Sequence, residues 1–191
     1  MVDAARKRAT YADVVAAPSH KVAEIIDGDL VLSARPAPRH ARAASVLGGM
    51  LFGPFDRGIG GPGGWWILDE PEIHPRGVHE PIVPDLGGWR VERLPDLPET
   101  AYFEMAPDWV CEVLSPSTAA MDRADKMPIY ASIGVKHAWL VDPLLQTLEV
   151  FRQESGRRLL LAAHKGNCVV RAEPFQSVEI DLTPAWSRSR K

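Results

Sequence analysis

The sequence has few cysteines, no long hydrophobic run and no excess of positive charge. Its 191 residues include two cysteines, Cys111 and Cys168, each within an apolar stretch. This fits a reducing compartment better than a disulfide framework. No apolar run approaches the roughly 18 residues of a membrane-spanning helix, and the first residues, MVDAARKRAT, lack the apolar core of a signal peptide. We therefore expect a cytoplasmic protein that does not contact a membrane.

The charge balance excludes a protein that holds nucleic acid by bulk charge alone. Twenty-two basic residues stand against 25 acidic ones, so the formal net charge is −3. Glycine and proline are abundant instead, with 15 and 17 residues, which favours short elements joined by many turns over a helical bundle. The length predicts a single domain over residues 10–186, with a disordered tail at 1–9 and a basic tail at 187–191.

Local patterns predict an α/β fold. A helix begins at Thr10 and ends at Pro18, an Asp27-Gly28 turn joins two hairpin strands, and apolar residues at helical spacing predict a helix over 38–55. A strand at 109–114, a helix at 117–133 and a strand at 137–141 form a βαβ unit with parallel strands, and 147–152 is a further strand. The last two segments, 157–164 and 177–182, are expected to form an antiparallel, peripheral pair. The predicted fold is a mixed β-sheet flanked by helices.

Glu112 is the most informative residue. Alternation along its strand places Trp109 and Cys111 on one face and Val110, Glu112 and Leu114 on the other, and both faces are otherwise apolar. An unpaired carboxylate there would cost several kcal/mol, so it shifts its pKa or finds a cation. The alternatives are that Glu112 pairs with a buried Arg or Lys, or that it lies at an exposed strand end.

Asp85 is a second candidate carboxylate. It follows Pro84 at the end of an apolar run, and Gly87-Gly88 just beyond is expected to leave open space in which a ligand approaches. The alternative is an ordinary Pro-Asp turn. Asp108 also follows a proline, but we expect it to cap or enter the strand of Glu112.

Lys126 is the third candidate. Asp122, Lys126 and Tyr130 stand four residues apart and share one face of a continuous helix. Pro128 fits if the helix begins near Asp125, because a proline is tolerated in the first turn. The alternative is an Asp122–Lys126 surface pair. Two carboxylates at strand ends with a lysine suit magnesium-dependent phosphodiester chemistry, since Mg²⁺ takes one or two carboxylates and keeps sites for water and phosphate.

A long stretch of the sequence resembles a known family. The segments VPDLGGWR and APDWVCEVLSPSTAAMDRADKMPIYASIGVKHAWLVDP are similar to the Uma-two family of bacterial restriction endonucleases, assigned to the PD-(D/E)XK nuclease superfamily. The hairpin AEIIDGDLVLS, the helix start RPAPRHAR and GWWILDEPEIH extend the resemblance to residues 11–186. It implies a restriction-endonuclease-like core and metal-dependent DNA cleavage.

The resemblance also implies a set of site residues. Asp85 is similar to the first acidic ligand of the family, and Glu112 to the second, so both would bind Mg²⁺, with Mn²⁺ as a substitute. Leu114 stands where the superfamily has its lysine, and Lys126 on the following helix is the replacement that relatives suggest. Glu24 matches an early acidic residue, and His40 matches a histidine at a helix start. Ala23 precedes Glu24 where many members carry tyrosine.

Other residues are weaker candidates. His74 and His79-Glu80 fit no common zinc spacing. Ser115, Ser117 and Thr118 lack a nucleophile elbow and are expected to end the strand and cap the helix. Trp89, beside Asp85, is a candidate stacking surface for a base. Two basic groups would receive phosphates if they are not merely solvated surface: Arg35, Arg39, His40 and Arg42, and then Arg90, Arg93, Arg123 and Lys126.

The sequence therefore predicts a metal-dependent DNA endonuclease in which Asp85 and Glu112 bind Mg²⁺, Lys126 assists the attacking water, and Glu24 and His40 complete the pocket. The alternative is a catalytically silent protein of the same fold that binds DNA or acts as an accessory. A serine-type hydrolase is a third, weaker hypothesis. DNA is the expected partner, and a homodimer would allow both strands to be cut.

Overall fold

The first elements of the chain form a short helix and a hairpin. The computed structural model describes residues 7–75 and 80–186, so residues 1–6 of the predicted disordered tail, the segment 76–79 and the whole predicted basic tail at 187–191 lie outside it. Asp13 accepts a hydrogen bond from the Thr10 backbone N–H at 2.7 Å, as in a capping box. Asp27 and Gly28 have positive φ of 51° and 81°, which confirms the predicted hairpin turn. The elements are α1 (Tyr11–Val15), β1 (Lys21–Ile26) and β2 (Asp29–Ala34).

A long helix packs against the central sheet. Helix α2 (Pro38–Leu51) begins with a proline in its first turn and continues into a π-helical turn at Phe52–Asp56, which confirms the helix predicted over 38–55. Its small residues face inward: Ala43 is completely buried, and a side chain at Gly48 would meet Leu86 at 3.3 Å. The small side chains therefore let α2 lie close to the sheet.

Six strands form one mixed sheet in the order β3-β4-β5-β6-β7-β8. Only the central β5–β6 pair is parallel; the other neighbours are antiparallel. The predicted mixed α/β fold and the parallel βαβ unit are confirmed. The strands are β3 (Trp65–Asp69), β4 (Leu86–Arg90), β5 (Trp109–Val113), β6 (His137–Asp142), β7 (Thr147–Glu154) and β8 (Arg157–Lys165).

The crossover between β5 and β6 is helical with an inserted π-helical turn. Helix α3 (Ala119–Met121) leads into the π-helical turn Asp122–Lys126, and helix α4 (Met127–Ser132) follows. Pro128 lies in the first turn of α4, directly after the π-helical turn. The predicted helix is therefore present, with α4 beginning two residues later than Asp125.

The predicted pairing of segments 157–164 and 177–182 is wrong. The first is β8, which pairs with β7 through a tight turn in which Ser155 and Gly156 both have positive φ. The second contributes β10 (Ile180–Asp181), which pairs with β9 (Val169–Val170) and precedes α5 (Thr183–Trp186). Both ladders are antiparallel. The Ser-Gly pair is a hairpin signal that decides the partner of β8.

The hydrophobic core has two layers, one on each face of the sheet. Trp109, Cys111 and Val113 of β5 belong to the layer that α2 covers, whereas Val110 and Leu114 belong to the layer under α4. The predicted alternation along β5 is therefore confirmed, and Glu112 is the acidic side chain on the α4 face of that strand. The two cysteines are unpaired. Among the described residues, no helix is long and apolar enough to cross a membrane.

Two expectations about the region after Asp85 are wrong. Gly87 and Gly88 do not open space for a ligand, because they make room for bulky core residues. A Cβ at Gly87 would lie 2.7 Å from the Pro71 ring, and one at Gly88 would lie 3.0 Å from the Trp109 ring. Trp89 is not a stacking surface for a base: it is completely buried, stacks on Phe103 and donates its indole N–H to the Met105 carbonyl.

We expect Gly88→Ala to destabilise the protein by about 1–3 kcal/mol, because the added methyl overpacks a core of indole rings. Urea unfolding followed by circular dichroism measures this change. Gly49→Ala is the matched control, since Gly49 lies inside α2 with no atom within 4 Å of its added Cβ. That change should stabilise the helix by about 0.5–1 kcal/mol. Equal stability of Gly88→Ala and the unaltered protein would contradict this packing.

Candidate active site

A polar cleft of about 670 Å³ lies at the carboxyl end of β5. The hairpin β1–β2, the start of α2 and the π-helical turn Asp122–Lys126 form its walls. The five site residues predicted from the sequence all line it: Glu24, His40, Asp85, Glu112 and Lys126. Three of them, Glu24, Glu112 and Lys126, are at most 3% exposed although they are charged. The fold therefore brings together residues that are up to 102 positions apart in the sequence, from Glu24 to Lys126.

Lys126 is the buried cation of the cleft. Its Nζ lies 3.0 Å from Glu24 Oε1 and 2.8 Å from Glu112 Oε1, and it donates to the Val83 carbonyl at 2.9 Å. Burial by itself lowers the pKa of this ammonium, but the carboxylates of Glu112, Glu24 and Asp122 outweigh burial and raise its pKa. Lys126 is therefore charged at neutral pH, and the alternative of a surface pair with Asp122 is wrong.

Glu112 occupies the position that the strand pattern predicted. Its Oε1 accepts hydrogen bonds from Lys126 and from the Tyr130 hydroxyl. Burial raises the pKa of Glu112 well above its ordinary value, Lys126 opposes that shift, and Asp85 adds to it. The structure thus bears out the alternative in which Glu112 pairs with a buried lysine, and it places that pair inside the cleft.

Asp85 lies on the other side of the end of β5. Its Oδ2 accepts the Val113 N–H at 2.6 Å and lies 3.3 Å from His40 Nε2. Burial lowers the pKa of His40, but Asp85 outweighs burial, so the histidine pKa is raised. Within residues 7–75 and 80–186, His40 Nδ1 is buried without a hydrogen-bond partner. His40 therefore orients Asp85 from the first turn of α2.

Glu24 connects the hairpin to the rest of the cleft. Its Oε1 accepts the Val83 N–H at 2.8 Å, while Lys126 binds both this same oxygen and the Val83 carbonyl. The peptide groups of Val83 are thus held from both sides, and Asp85 is two residues further along the chain. Glu24 therefore fixes the backbone that carries Asp85 into the cleft.

Asp122 is a site residue that the sequence reasoning missed. The spacing allows a surface pair of Asp122 with Lys126, but Asp122 is 3% exposed and lines the cleft. Burial raises its pKa to about 6, while Lys126 and the Thr118 side chain oppose the shift, and Asp85 and Glu24 add to it. The spacing of four residues predicts that Asp122 and Lys126 lie on the same helix face, but it does not predict that this face is buried.

We expect Asp122→Asn to stabilise the protein at pH 7 by up to about 3 kcal/mol, since one pKa unit corresponds to about 1.4 kcal/mol. The folded protein binds this proton more tightly than the unfolded chain, in which the pKa is near 3.8. The stability that the proton contributes is present at low pH and is lost as the pH rises from about 4 to about 6. Urea unfolding between pH 4 and 7, with EDTA present, measures the effect.

The control for this pH effect is Asp125→Asn, because Asp125 is exposed on the same π-helical turn. The difference between Asp122→Asn and the unaltered protein should grow from pH 4 to pH 7, whereas the Asp125→Asn difference should stay nearly constant. A pH-independent difference for Asp122→Asn would contradict the raised pKa.

The weaker candidates have other partners. His74 Nε2 bonds Glu72 Oε1 at 2.6 Å, and its ring stacks on Tyr102 at 4.0 Å; His79 lies outside the described residues. Ser115 Oγ bonds the hydroxyls of Ser117 and Thr118 at 2.9 and 3.0 Å, at the end of the strand as predicted. The predicted side-chain cap is wrong, because Thr118 is the N-cap residue of α3 but its side chain makes no capping hydrogen bond. The recorded partners of Ser115 Oγ among the described residues are these two hydroxyls and not His40 or Lys126, so no nucleophile–base hydrogen bond forms here.

The structure places Asp108 and the two predicted basic groups in different surroundings. Asp108 enters β5 as expected, accepts the Arg90 N–H at 2.9 Å and pairs with Arg93 at 2.7 Å. Arg90 lies over the Trp65 ring and Arg123 binds Glu149, so the four members of the second predicted group have different partners. In the first group, Arg35 and His40 line the cleft.

The donor set fits a divalent cation held by two carboxylates. Across the described ranges, no group of three or more His, Cys, Asp or Glu side chains is arranged to hold a metal. Mg²⁺ needs only one or two protein carboxylates, because water and phosphate complete its shell. Five carboxylates line the cleft, Glu24, Glu70, Asp85, Glu112 and Asp122, against the three cations Lys21, Arg35 and Lys126, so a further cation would offset the remaining negative charge.

The mixed sheet and the acidic cleft define a restriction-endonuclease-like α/β protein. A crystal structure at 1.96 Å of a "putative nuclease belonging to DUF820" from Anabaena variabilis superposes with a TM-score of 0.73 at 19% identity, covering 93% of this chain and 97% of that one. At this identity the likeness establishes the fold.

The family follows from a separate comparison. The model of the Uma2 family, described as "Putative restriction endonuclease", matches residues 9–185, so the chain belongs to that family. The family predicted from the sequence is confirmed. No curated protein matches the chain.

Proposed function

We propose that this protein is a metal-dependent DNA endonuclease of the PD-(D/E)XK type, which hydrolyses phosphodiester bonds. The observation that carries the proposal is the meeting of Asp85 and Glu112 in one cleft with a buried lysine between acidic neighbours. Membership in a family of restriction endonucleases and the fold of a nuclease support it. Fold alone would not assign a reaction, since one fold hosts many chemistries.

Asp85 and Glu112 are the residues that would hold Mg²⁺, or Mn²⁺ in its place. The ion supplies a Lewis acid that offsets negative charge at the scissile phosphate. His40 and the Val113 N–H bind Asp85 Oδ2 and so keep that carboxylate turned toward the end of β5. The cation site is therefore built from one loop and one strand whose side chains are each restrained by hydrogen bonds.

Lys126 opposes the rise in the pKa of Glu112 that burial causes, and it places the ammonium beside the reacting region. We propose that it also orients the attacking water, as the lysine of this superfamily does from the motif position that Leu114 occupies here. Lys126 has three acceptors, Glu24, Glu112 and the Val83 carbonyl. An ammonium has three N–H donors, so Lys126 reaches a water only when one of these acceptors binds a cation or shifts.

DNA is the proposed substrate, and local charge rather than net charge would receive it. Arg35 lies at the rim of the cleft and is 55% exposed, although it pairs with Glu70 at 3.2 Å. A phosphate that replaces Glu70 would gain a charge-assisted hydrogen bond. We propose a cytoplasmic enzyme, and a homodimer that cuts both strands stays a prediction for sedimentation analysis.

Incubation of the protein with supercoiled plasmid tests the proposal. We expect nicked and linear products with Mg²⁺ or Mn²⁺, and none with EDTA or with Ca²⁺ alone, because Ca²⁺ prefers longer bonds and more ligands. Linear and single-stranded oligonucleotides in parallel reactions define the substrate. Cleavage in EDTA at the same rate would overturn the metal dependence.

Two observations favour the catalytically silent alternative: Leu114 stands at the motif position of the lysine, and Lys126 already has three acceptors. A silent protein would bind DNA without turnover in any divalent metal. Gel-shift titration with the same oligonucleotides separates the two functions, since binding without product over hours would support the silent protein.

A further inference from the structure

Tyr130 contacts Glu112 from the core side of the cleft, although the proposed mechanism gives it no role. Its ring is completely buried in the core layer under α4, four residues after Lys126. Its hydroxyl donates a hydrogen bond to Glu112 Oε1. A phenylalanine would fill the same space without a polar atom, so the hydroxyl is the group that lets this side chain bind Glu112 from within an apolar layer.

Two donors converge on one oxygen of Glu112. Tyr130 and Lys126 both bind Oε1, and Lys126 lies 2.8 Å from it. Two bonds to the same atom restrict rotation about the last side-chain torsion, which is otherwise broad in a glutamate. Among the described residues, the recorded donors thus act on Oε1, and the second oxygen, Oε2, is the one that a cation can bind.

Asp85 has the same arrangement. The Val113 N–H and His40 Nε2 both approach Oδ2, at 2.6 and 3.3 Å. In each carboxylate, donors among the described residues therefore hold one oxygen, and the second oxygen is the one that a ligand would bind. Outer hydrogen bonds of this kind orient metal-binding side chains in many proteins, and their loss weakens metal affinity about 10- to 100-fold.

Tyr130 and Lys126 reach the same oxygen because of the helix that carries them. The π-helical turn Asp122–Lys126 runs directly into α4, so residues 126 and 130 lie on one face, one turn apart. Such π-helical insertions are frequent at functional sites. The Tyr130 hydroxyl and the Lys126 ammonium are thus both held by one continuous helical segment.

We propose that Tyr130 is a positioning residue that orients Glu112 for divalent cation binding. The hydroxyl fixes Oε1, and the orientation of Oε2 toward the cleft follows from it. The inference rests on the proposed function, because it assumes that Glu112 binds the cation. It adds a residue outside the predicted set of Asp85, Glu112, Lys126, Glu24 and His40.

The test is the affinity of Tyr130→Phe for Mn²⁺, measured by titration calorimetry and by the loss of the free-ion electron paramagnetic resonance signal, without DNA. We expect the dissociation constant to rise about tenfold, within the range for lost outer hydrogen bonds. Val135→Ala is the control, because Val135 is completely buried in the same core layer and its side chain does not bond Glu112. Thermal melting verifies that both variants fold.

The outcomes separate this inference from the proposed function. Weaker binding by Tyr130→Phe with unchanged binding by Val135→Ala supports the inference. Equal affinity of Tyr130→Phe and the unaltered protein overturns the inference and leaves the metal site intact. A similar loss in both variants also overturns it, because general loosening would then explain the effect. If the unaltered protein binds no Mn²⁺ and cuts no DNA, the proposed function fails and the inference with it.

Discussion

Glu112→Gln is expected to lower metal-dependent plasmid cleavage about 10³-fold while DNA binding changes little. The amide keeps the shape of the side chain and its carbonyl oxygen still accepts from Tyr130 and Lys126. It removes the negative charge that would bind the cation. A metal ion supplies several kcal/mol of transition-state stabilisation, and each 1.36 kcal/mol is about tenfold in rate. Nicking rates in Mg²⁺ and Mn²⁺ measure the loss.

Glu149→Gln is the matched control for this prediction. Glu149 is an acidic strand residue of β7 that pairs with Arg123 at 2.7 Å, and it is not among the residues that line the cleft. Its variant should cut plasmid within about twofold of the unaltered protein, as expected for a surface pair. Cleavage by Glu112→Gln at the same level as Glu149→Gln would mean that Glu112 is not part of the active site.

The burial of Glu112 was predictable, because its strand is apolar on both faces and a carboxylate within such a strand must itself be buried. Trp109, Cys111 and Val113 alternate with Val110 and Leu114, and each set lies in its own core layer. The shared helix face of Lys126 was predictable from spacing alone. Local periodicity therefore sufficed for two of the central residues of the cleft.

The burial of the helix face was not predictable from spacing. Asp122 and Lys126 read equally well as a solvated pair, and only the packing of α3 and α4 over β5 removes them from water. That packing depends on contacts with Glu24, about 100 residues earlier in the chain. A pattern within one helix carries no information about such a distant partner.

The surroundings of Asp85 were misjudged for a related reason. Gly87 and Gly88 suggested open backbone, but the space beside them belongs to Pro71 and to the Trp109 ring of a neighbouring strand. A glycine in a strand has two explanations, close approach of a ligand and close approach of a side chain, and the sequence does not distinguish them. Trp89 is buried on the opposite face of the sheet from Trp109, where it stacks on Phe103.

Lys126→Met is expected to lower the free energy of unfolding by about 3–5 kcal/mol at pH 8, because it leaves buried carboxylates without their cation. Methionine keeps much of the side-chain length and removes the ammonium that binds Glu24 and Glu112. The pKa of Lys126 is raised in the folded protein, so its contribution is fully present below about pH 10 and lost only above that range. Urea unfolding at fixed pH measures the change.

The loss should be smaller at pH 5 than at pH 8, because burial raises the pKa of Glu112 and so favours its neutral form as the pH falls. A neutral carboxylic acid can stay buried without a cation, since desolvation penalises only the charged form. Lys136→Met, at an exposed lysine, should change stability by less than about 0.5 kcal/mol at either pH. Adding Glu24→Gln to Lys126→Met should recover part of the lost stability, because it removes one of the two buried carboxylates that Lys126→Met leaves without a cation. Equal effects of Lys126→Met and Lys136→Met on the free energy of unfolding would contradict a buried ion cluster. The variant that combines Glu24→Gln with Lys126→Met measures the coupling between Glu24 and Lys126 independently.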